Sequence, residues 1–464
     1  MIHCNIKHRL VTSIGVGFRK THFILLSVLL LAFISPAQAG RAPTPGPGSL
    51  DPSFGTSGVV LADAGVANDI KVQTDGKILV LGGGYLQRFN PTGTLDTSFN
   101  GTGKVISNGS ILLLQGNKIL VSGTSGVAAY LGGAFTLSLF NSNGTPDLTF
   151  GSSGVVTTPV GNYGGVPLAL TSQSDGKIIA AGYAITTYFP APSSRESDVR
   201  DLDVALVRYN ANGSLDTSFG RQGIVITASD PISIYVNEVA NAVSVQNTGP
   251  NAGQIVIGGS TSRSISGYPD SLLIRYAANG TIDSSFGTNG FVFTDFEGFT
   301  DFTQALTILP NDKILAAGST GATYDFAMVR YLPNGSLDSS FGSGGKVRTD
   351  FSLGWDTVRA MVIQPLDGKI ILAGSADANI YDSRRGTWTY IPLDFALARY
   401  SADGILDTSF GTGGKVITAI NSTGVDEALG VALQSDGKIV ACGYTSSGIY
   451  TATDPRIAIT RYLP

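Results

Sequence analysis

The chain has 464 residues, with 30 Lys and Arg against 34 Asp and Glu, a formal net charge of −4, 3 His and 2 Cys. All three histidines (His3, His8, His22) and Cys4 precede residue 40, so a chain processed there holds no imidazole and a single thiol, Cys442. That excludes imidazole-based triads, the commonest metal ligand and any intrachain disulfide, and the acidic balance argues against nucleic acid as a partner.

Residues 1–39 read as a secretory signal peptide: basic Lys7, Arg9, Arg19 and Lys20, an apolar run over 23–34, then Ala37-Gln38-Ala39. Removing them takes four positive charges and no negative ones, so −4 becomes −8. No later segment is long enough to span a bilayer as a helix, and no cysteine follows the cleavage motif, so the expectation is a soluble exported chain, periplasmic, on the cell surface or extracellular. Residues 40–49 read as a short linker. With 60 Gly and only 14% charged residues, the remainder suits an all-β fold with many tight turns.

From residue 50 onward one phrase recurs: "LDPSFGTSG" at 50, "LDTSFNGTG" at 95, "PDLTFGSSG" at 146, "LDTSFGRQG" at 215, "IDSSFGTNG" at 282, "LDSSFGSGG" at 337 and "LDTSFGTGG" at 406. Between copies lies a second pattern, clearest as "GVALQSDGKIVACGY" at 430 and then "RIAITRY" at 456. Alternating apolar runs joined by Asp-Gly turns predict antiparallel hairpins. Each unit supplies four strands: near the chain's end, 431–434, 438–442, one ending in Arg-Tyr, and one after the LDxSFG phrase such as 415–418. Units of this size predict the blades of a β-propeller. The phrase at 50 comes before a lone fourth strand (59–62), and residue 464 follows a third strand. A ring closed by that N-terminal strand accounts for seven whole blades with no strand left over.

Within the phrase, Asn212-Gly213 permits a tight turn, the Asp accepts hydrogen bonds in an Asx turn, and the Phe is a wedge to bury between blades. This structural role is assigned to Asp51 and Phe54, Asp96 and Phe99, Asp147 and Phe150, Asp216 and Phe219, Asp283 and Phe286, Asp338 and Phe341, and Asp407 and Phe410. Each buried wedge is worth about 1.5–3 kcal/mol. The third-strand arginines Arg88, Arg208, Arg275, Arg330, Arg399 and Arg461, replaced by Leu139 in the second unit, are expected to pair with those aspartates. Asn-Gly-Ser/Thr triplets at Asn143, Asn212, Asn279 and Asn334 match glycosylation acceptors and are better explained as turns.

LDxSFGxxG, QxDGKIxxxG and the Arg-Tyr strand together resemble the delta-60 repeat family of exported or surface bacterial tandem-repeat proteins, over residues 50–464. The resemblance implies a repeat fold and brings no catalytic residue with it. The second and fourth units depart most, with Asn117 and Ala252-Gly253-Gln254 in place of Asp-Gly-Lys.

In a propeller, the connections from second to third strand and from outer strand to the next inner strand emerge on one face. Here those connections are the long and varied ones, and they hold both tryptophans and all four glutamates (Glu196, Glu238, Glu297, Glu427). Trp355, Trp388, Tyr188, Tyr235, Tyr381, Tyr390, Glu297 and Asp301 are therefore the candidate ligand-binding residues, for a polysaccharide by stacking or a protein through aromatic anchors. A carboxylate pair roughly 5–10 Å apart would suffice for glycoside chemistry. Asp295, Glu297 and Asp301, or Asp198, Asp201 and Asp203, could supply it, or hold Ca²⁺, although neither set has a calcium-loop spacing. The expectation is a non-enzymatic binding or scaffold protein, with no catalytic residue, no metal and no cofactor; the alternative is a carboxylate-based glycan hydrolase or lyase.

Overall fold

A computed structural model describes residues 45–126, 132–190, 199–229, 236–247, 249, 251–262, 268–296, 298–351, 354–377, 380–382, 387–389, 392–448 and 454–464; of residues 380–382 and 387–389 only the backbone is described. The expected signal peptide lies outside the described residues. Seven four-stranded antiparallel sheets follow one another along the chain, and a separate two-stranded hairpin, Ile380–Asp382 with Thr387–Thr389, is inserted between the second and third strands of the sixth. The fold is a seven-bladed, all-β propeller.

The fifth blade shows why the sequence alternates as it does. Its two middle strands, Ile314–Thr320 and Asp325–Tyr331, are buried along their whole length because neighbouring blades cover both sides. They therefore read as nearly unbroken apolar runs, whereas the outer strand Lys346–Thr349 is buried only at its last residue. The seventh blade takes its outer strand, Val59–Ala64, from the N-terminus, paired antiparallel to Arg456–Tyr462. Closure extends further upstream, where the Gly48 amide donates to the Leu463 carbonyl and the Gly411 amide to the Pro47 carbonyl, bringing residues 47–48 onto the sixth and seventh blades.

Each element of the repeated phrases has a definite job. The Asp216 carboxylate accepts from the Ser218 amide (3.1 Å) and hydroxyl (2.6 Å), closing the expected Asx turn. Arg208 Nε donates to Asp216 Oδ2 at 2.8 Å, and its guanidinium lies 4.4 Å above the Phe219 ring. Phe219 is fully buried among side chains of the third and fourth blades, as expected of a wedge. Gly213, at φ +86°, lies so close to the previous blade that a Cβ there would meet Val156 and Phe150 at 2.7–3.0 Å. The Asn212 side chain accepts from Ser214, so this triplet is a turn as expected.

Three recurrent roles were not anticipated from the sequence. The Asp-Gly-Lys lysine joins the same aspartate, Lys77 to Asp96 at 3.0 Å and Lys369 to Asp407 at 3.0 Å. In the second blade, which lacks the arginine, Lys118 holds Asp147 at 2.8 Å. The Arg-Tyr tyrosine reaches the last threonine of the preceding blade's outer strand, Tyr209 to Thr158 at 2.9 Å and Tyr400 to Thr349 at 2.8 Å. Finally, every inner strand slips register near its start, as at Thr303/Ala305 and Val358/Ala360. Opposite each slip stands the glycine that ends QxDGKIxxxG; at Gly318 a Cβ would lie 1.7 Å from the Phe302 carbonyl oxygen. The glycine allows the bulge, and the bulge re-aims the first residues of the inner strand at the variable face.

Candidate functional site

Those re-aimed residues are acidic in four consecutive blades: Glu238, Asp301, Asp356 and Asp426 open their inner strands and are all essentially buried. Further carboxylates approach them from the previous blade, Asp203 within a third strand and Asp270, Asp325 and Asp394 opening theirs. Burial, reinforced by Asp295 and Asp301, pushes the Asp270 carboxyl up to about 6. Burial and the neighbouring Asp350, Asp325 and Asp377 push Asp356 to about 8, against the opposing hydrogen bond from the Phe351 amide. Burial lifts Glu238 to about 7 against its Ser229 hydrogen bonds, with Asp203 and Asp201 adding to the rise. Asp301 is raised by burial while accepting from Thr320 Oγ1 at 2.5 Å and the Phe296 amide at 3.0 Å.

Among the described residues, the solvent-exposed aromatics of this face gather in separate groups rather than in one. Tyr188 lies 5.9 Å from Tyr163 and Tyr268 lies 6.0 Å from Phe299. In the third group Phe302 stacks parallel on Tyr324 at 6.1 Å, and Tyr324 meets Trp355 edge-on at 5.9 Å. Trp355 is 61% exposed, and its backbone is fixed by donation to Asp377 Oδ1 at 2.7 Å. This third group borders a depression of about 520 Å³ whose floor is the second and fourth residues of the inner strands of blades four to six: Val239 and Asn241, Phe302 and Gln304, Thr357 and Arg359. Arg359 is held by Glu427, Nε to Oε1 at 2.8 Å, and the Gln304 amide has no hydrogen-bond partner among the described residues. Aromatic faces beside amides and hydroxyls are the surface a polar, ring-shaped ligand needs.

Of the residues expected from sequence, Trp355 belongs to this depression, Tyr188 to a different aromatic pair, and Asp301, itself buried, to a cluster of three carboxylates. Trp388 pairs with Tyr381 across the sixth-blade hairpin at the level of the backbone. Tyr235, Tyr390, Glu297, Glu196 and Asp198 lie outside the described residues. Sequence reasoning missed Phe302, Tyr324, Asp270, Asp325, Asp350 and Asp356. A signal for the acids was present: "TDFEGFTD" at 294 and "TDFSLGWD" at 349 have the same spacing, and "DSLLIRY", "DFAMVRY" and "DFALARY" all open with Asp.

A family model described as "Domain of unknown function (DUF5122) beta-propeller" matches residues 73–99, 201–219, 253–286, 309–341, 386–410 and 434–464. These segments fall in six of the seven units and omit the second, which lacks the strand arginine. No curated protein matches the chain. Among solved structures, an ulvan lyase, a polysaccharide lyase bound to -[GlcA(1-4)Rha3S]-, is similar at 13% identity and a TM-score of 0.45, covering 87% of this chain and 94% of its own. A glucose dehydrogenase-type oxidoreductase from Thermus thermophilus is similar at 11% identity and 0.34, covering 87% and 99%. A mannose phosphorylase from Leishmania mexicana gives 11% and 0.28, covering 62% and 80%. Likenesses at these TM-scores carry no argument about this chain's activity; the repeated matches to the family model make it similar to a β-propeller repeat family.

Proposed function

We propose that this chain is an exported, non-enzymatic glycan-binding propeller of the delta-60 repeat kind, holding a saccharide in the depression over blades four to six. The observation that carries the reading is the Phe302–Tyr324–Trp355 stack beside the unpartnered Gln304 amide. A sugar ring laid on Trp355 would bury its apolar face while its hydroxyls meet Gln304, Asn241 and Arg359. The side chains lining the depression include no carboxylate among the described residues, which supports binding over glycoside hydrolysis at this place. Asp301, a candidate acid from the sequence, is buried with both oxygens already accepting hydrogen bonds.

The test is a titration of residues 40–464 with soluble polysaccharides, followed by tryptophan fluorescence. A saturable shift is expected with at least one glycan, lost in Trp355→Ala and weakened roughly tenfold in Gln304→Ala, the loss of one well-placed hydrogen bond. Silence with every glycan, or a shift that survives Trp355→Ala, would overturn the proposal and leave a protein partner as the reading of this face.

A further inference from the structure

Two successive blade junctions carry the same three carboxylates. Asp270 opens the third strand of the fourth blade, Asp295 directly follows that blade's outer strand Phe291–Thr294, and Asp301 opens the inner strand of the fifth. One blade further on, Asp325, Asp350 and Asp356 occupy the same three places. In each trio every residue offers a carboxylate oxygen, and the three oxygens lie within 4.8 Å of one another.

Clustering alone would describe many acidic surfaces, but here two of the oxygens lack the partners that burial demands. Asp356 is 0% exposed; its Oδ2 accepts from the Phe351 amide at 2.7 Å, while Oδ1 is buried with no donor. Asp270, partly buried as a residue, repeats the pattern in one atom at the first junction: its Oδ1 is buried without a donor, and its carboxylate makes no hydrogen bond or ion pair among the described residues. The nearby Lys346 ammonium bonds the Asp295 carbonyl oxygen at 2.6 Å and acts on Asp301 through space, but it makes no ion pair with a carboxylate of the trio among the described residues. At the second junction Arg348 pairs with Asp325 through Nε, and the Asp356 Oδ1 is still left without a donor. A buried, donorless carboxylate oxygen beside two more carboxylates is unfavourable until something positive and compact fills the space between them.

We propose that each trio is a binding site for a divalent cation of the Ca²⁺ class, joining the third strand of one blade to the inner strand of the next. The donors are all hard oxygens, with no imidazole or thiolate, which selects Ca²⁺ over zinc or copper. Oxygens bound to one Ca²⁺ at about 2.4 Å lie no more than about 4.8 Å apart, so both trios fit a single ion. The two flanking junctions lack the middle acid: Ala228 and Ala419 stand where Asp295 and Asp350 stand, although Glu238 and Asp426 still open the inner strands. Among the described residues the complete site is therefore confined to the two junctions that flank the fifth blade, and it is independent of the glycan reading.

Residues 40–464, stripped with EDTA, would be titrated with CaCl₂ by calorimetry and with Tb³⁺ by tryptophan-sensitised emission, Trp355 being the sequence neighbour of Asp356. Two Ca²⁺ per chain and a raised thermal midpoint are expected. Asp295→Asn and Asp350→Asn alter exposed members of the trios and so spare the buried packing; each should remove one equivalent with an unchanged circular dichroism spectrum, and Asp350→Asn should lose most of the sensitised emission. Absence of binding at millimolar CaCl₂, or a stoichiometry that neither substitution changes, would overturn the proposal.

Discussion

Asp216 and Asp356 are both buried at the edges of blades, at opposite ends of the strands, and their surroundings treat the charge in opposite ways. Burial alone would raise Asp216, but the Ser218 hydroxyl and amide, with Arg208 and Lys177, hold it down at about 2. Asp356, more deeply buried, has one backbone donor and three acidic neighbours, and rises to about 8. The first arrangement recurs with little change around the ring and keeps the blades in register. Among the described residues the second is confined to one face and to the junctions of a few blades. A carboxylate paired at every repeat maintains the fold, whereas carboxylates gathered with too little counter-charge belong to what the fold presents.

Ring closure gives the largest expected effect on this comparison. Removing residues 45–64 takes the outer strand from the seventh blade and strips Asp51 from Arg461 and Lys438, whose distances to it are 2.9 and 3.4 Å. Cooperative unfolding should broaden and the thermal midpoint should fall further than with any single substitution, by calorimetry. A midpoint within a few degrees of the parent would show that the blades hold together without closure.

A smaller loss is expected from the paired set. Asp216→Asn leaves the Arg208 guanidinium, 6% exposed, without its carboxylate partner, and leaves the Lys177 ammonium with Asp175 alone, at 3.3 Å. Breaking a buried pair by removing one partner costs about 3–5 kcal/mol. Urea unfolding should show that loss at pH 7 with an unchanged slope. The wild-type carboxyl is depressed in the fold, so its contribution is present above its ordinary value of 3.8 and disappears as pH falls through about 2. The gap between variant and parent should therefore close in strong acid.

Much of the paired set was legible in the sequence because repetition exposes structural roles. Seven copies of Asp-x-x-Phe, with an arginine at a fixed place in six of the units, predicted both the ion pair and the wedge. The lysine was missed because Asp-Gly-Lys reads as a turn, and nothing in a turn announces that its third side chain will cross to another strand. The carboxylate trios were missed for a different reason. Their members come from three segments separated by up to 31 residues, and the bulge that brings Asp301 and Asp356 to the face depends on a glycine in another strand. Tyr324 and Phe302, likewise, look like ordinary strand and turn aromatics until the register stacks them.

Glu238 offers the sharpest contrast with Asp216, because its junction has carboxylates without the third acid of the trios. Its Oε1 accepts from the Ser229 amide at 3.3 Å and from the Ser229 hydroxyl, its Oε2 is buried with no donor, and Asp203 and Asp201 stand nearby. Burial raises the carboxyl from its ordinary 4.5 to about 7, so the folded chain keeps a proton that the unfolded chain releases between those values. Stability attributable to Glu238 is thus fully present below about 4.5 and is lost as pH rises through about 7, the reverse of Asp216. Glu238→Gln keeps the shape and cannot ionise, so parent and variant should be nearly equal in urea unfolding near the ordinary value of 4.5. At pH 8 the variant should be more stable by about 3 kcal/mol, the free-energy equivalent of the shift. Equal stability at both pH values would mean that the Glu238 carboxylate finds in the folded protein a counter-charge as good as water, and the division between paired and unpaired carboxylates would lose its clearest case.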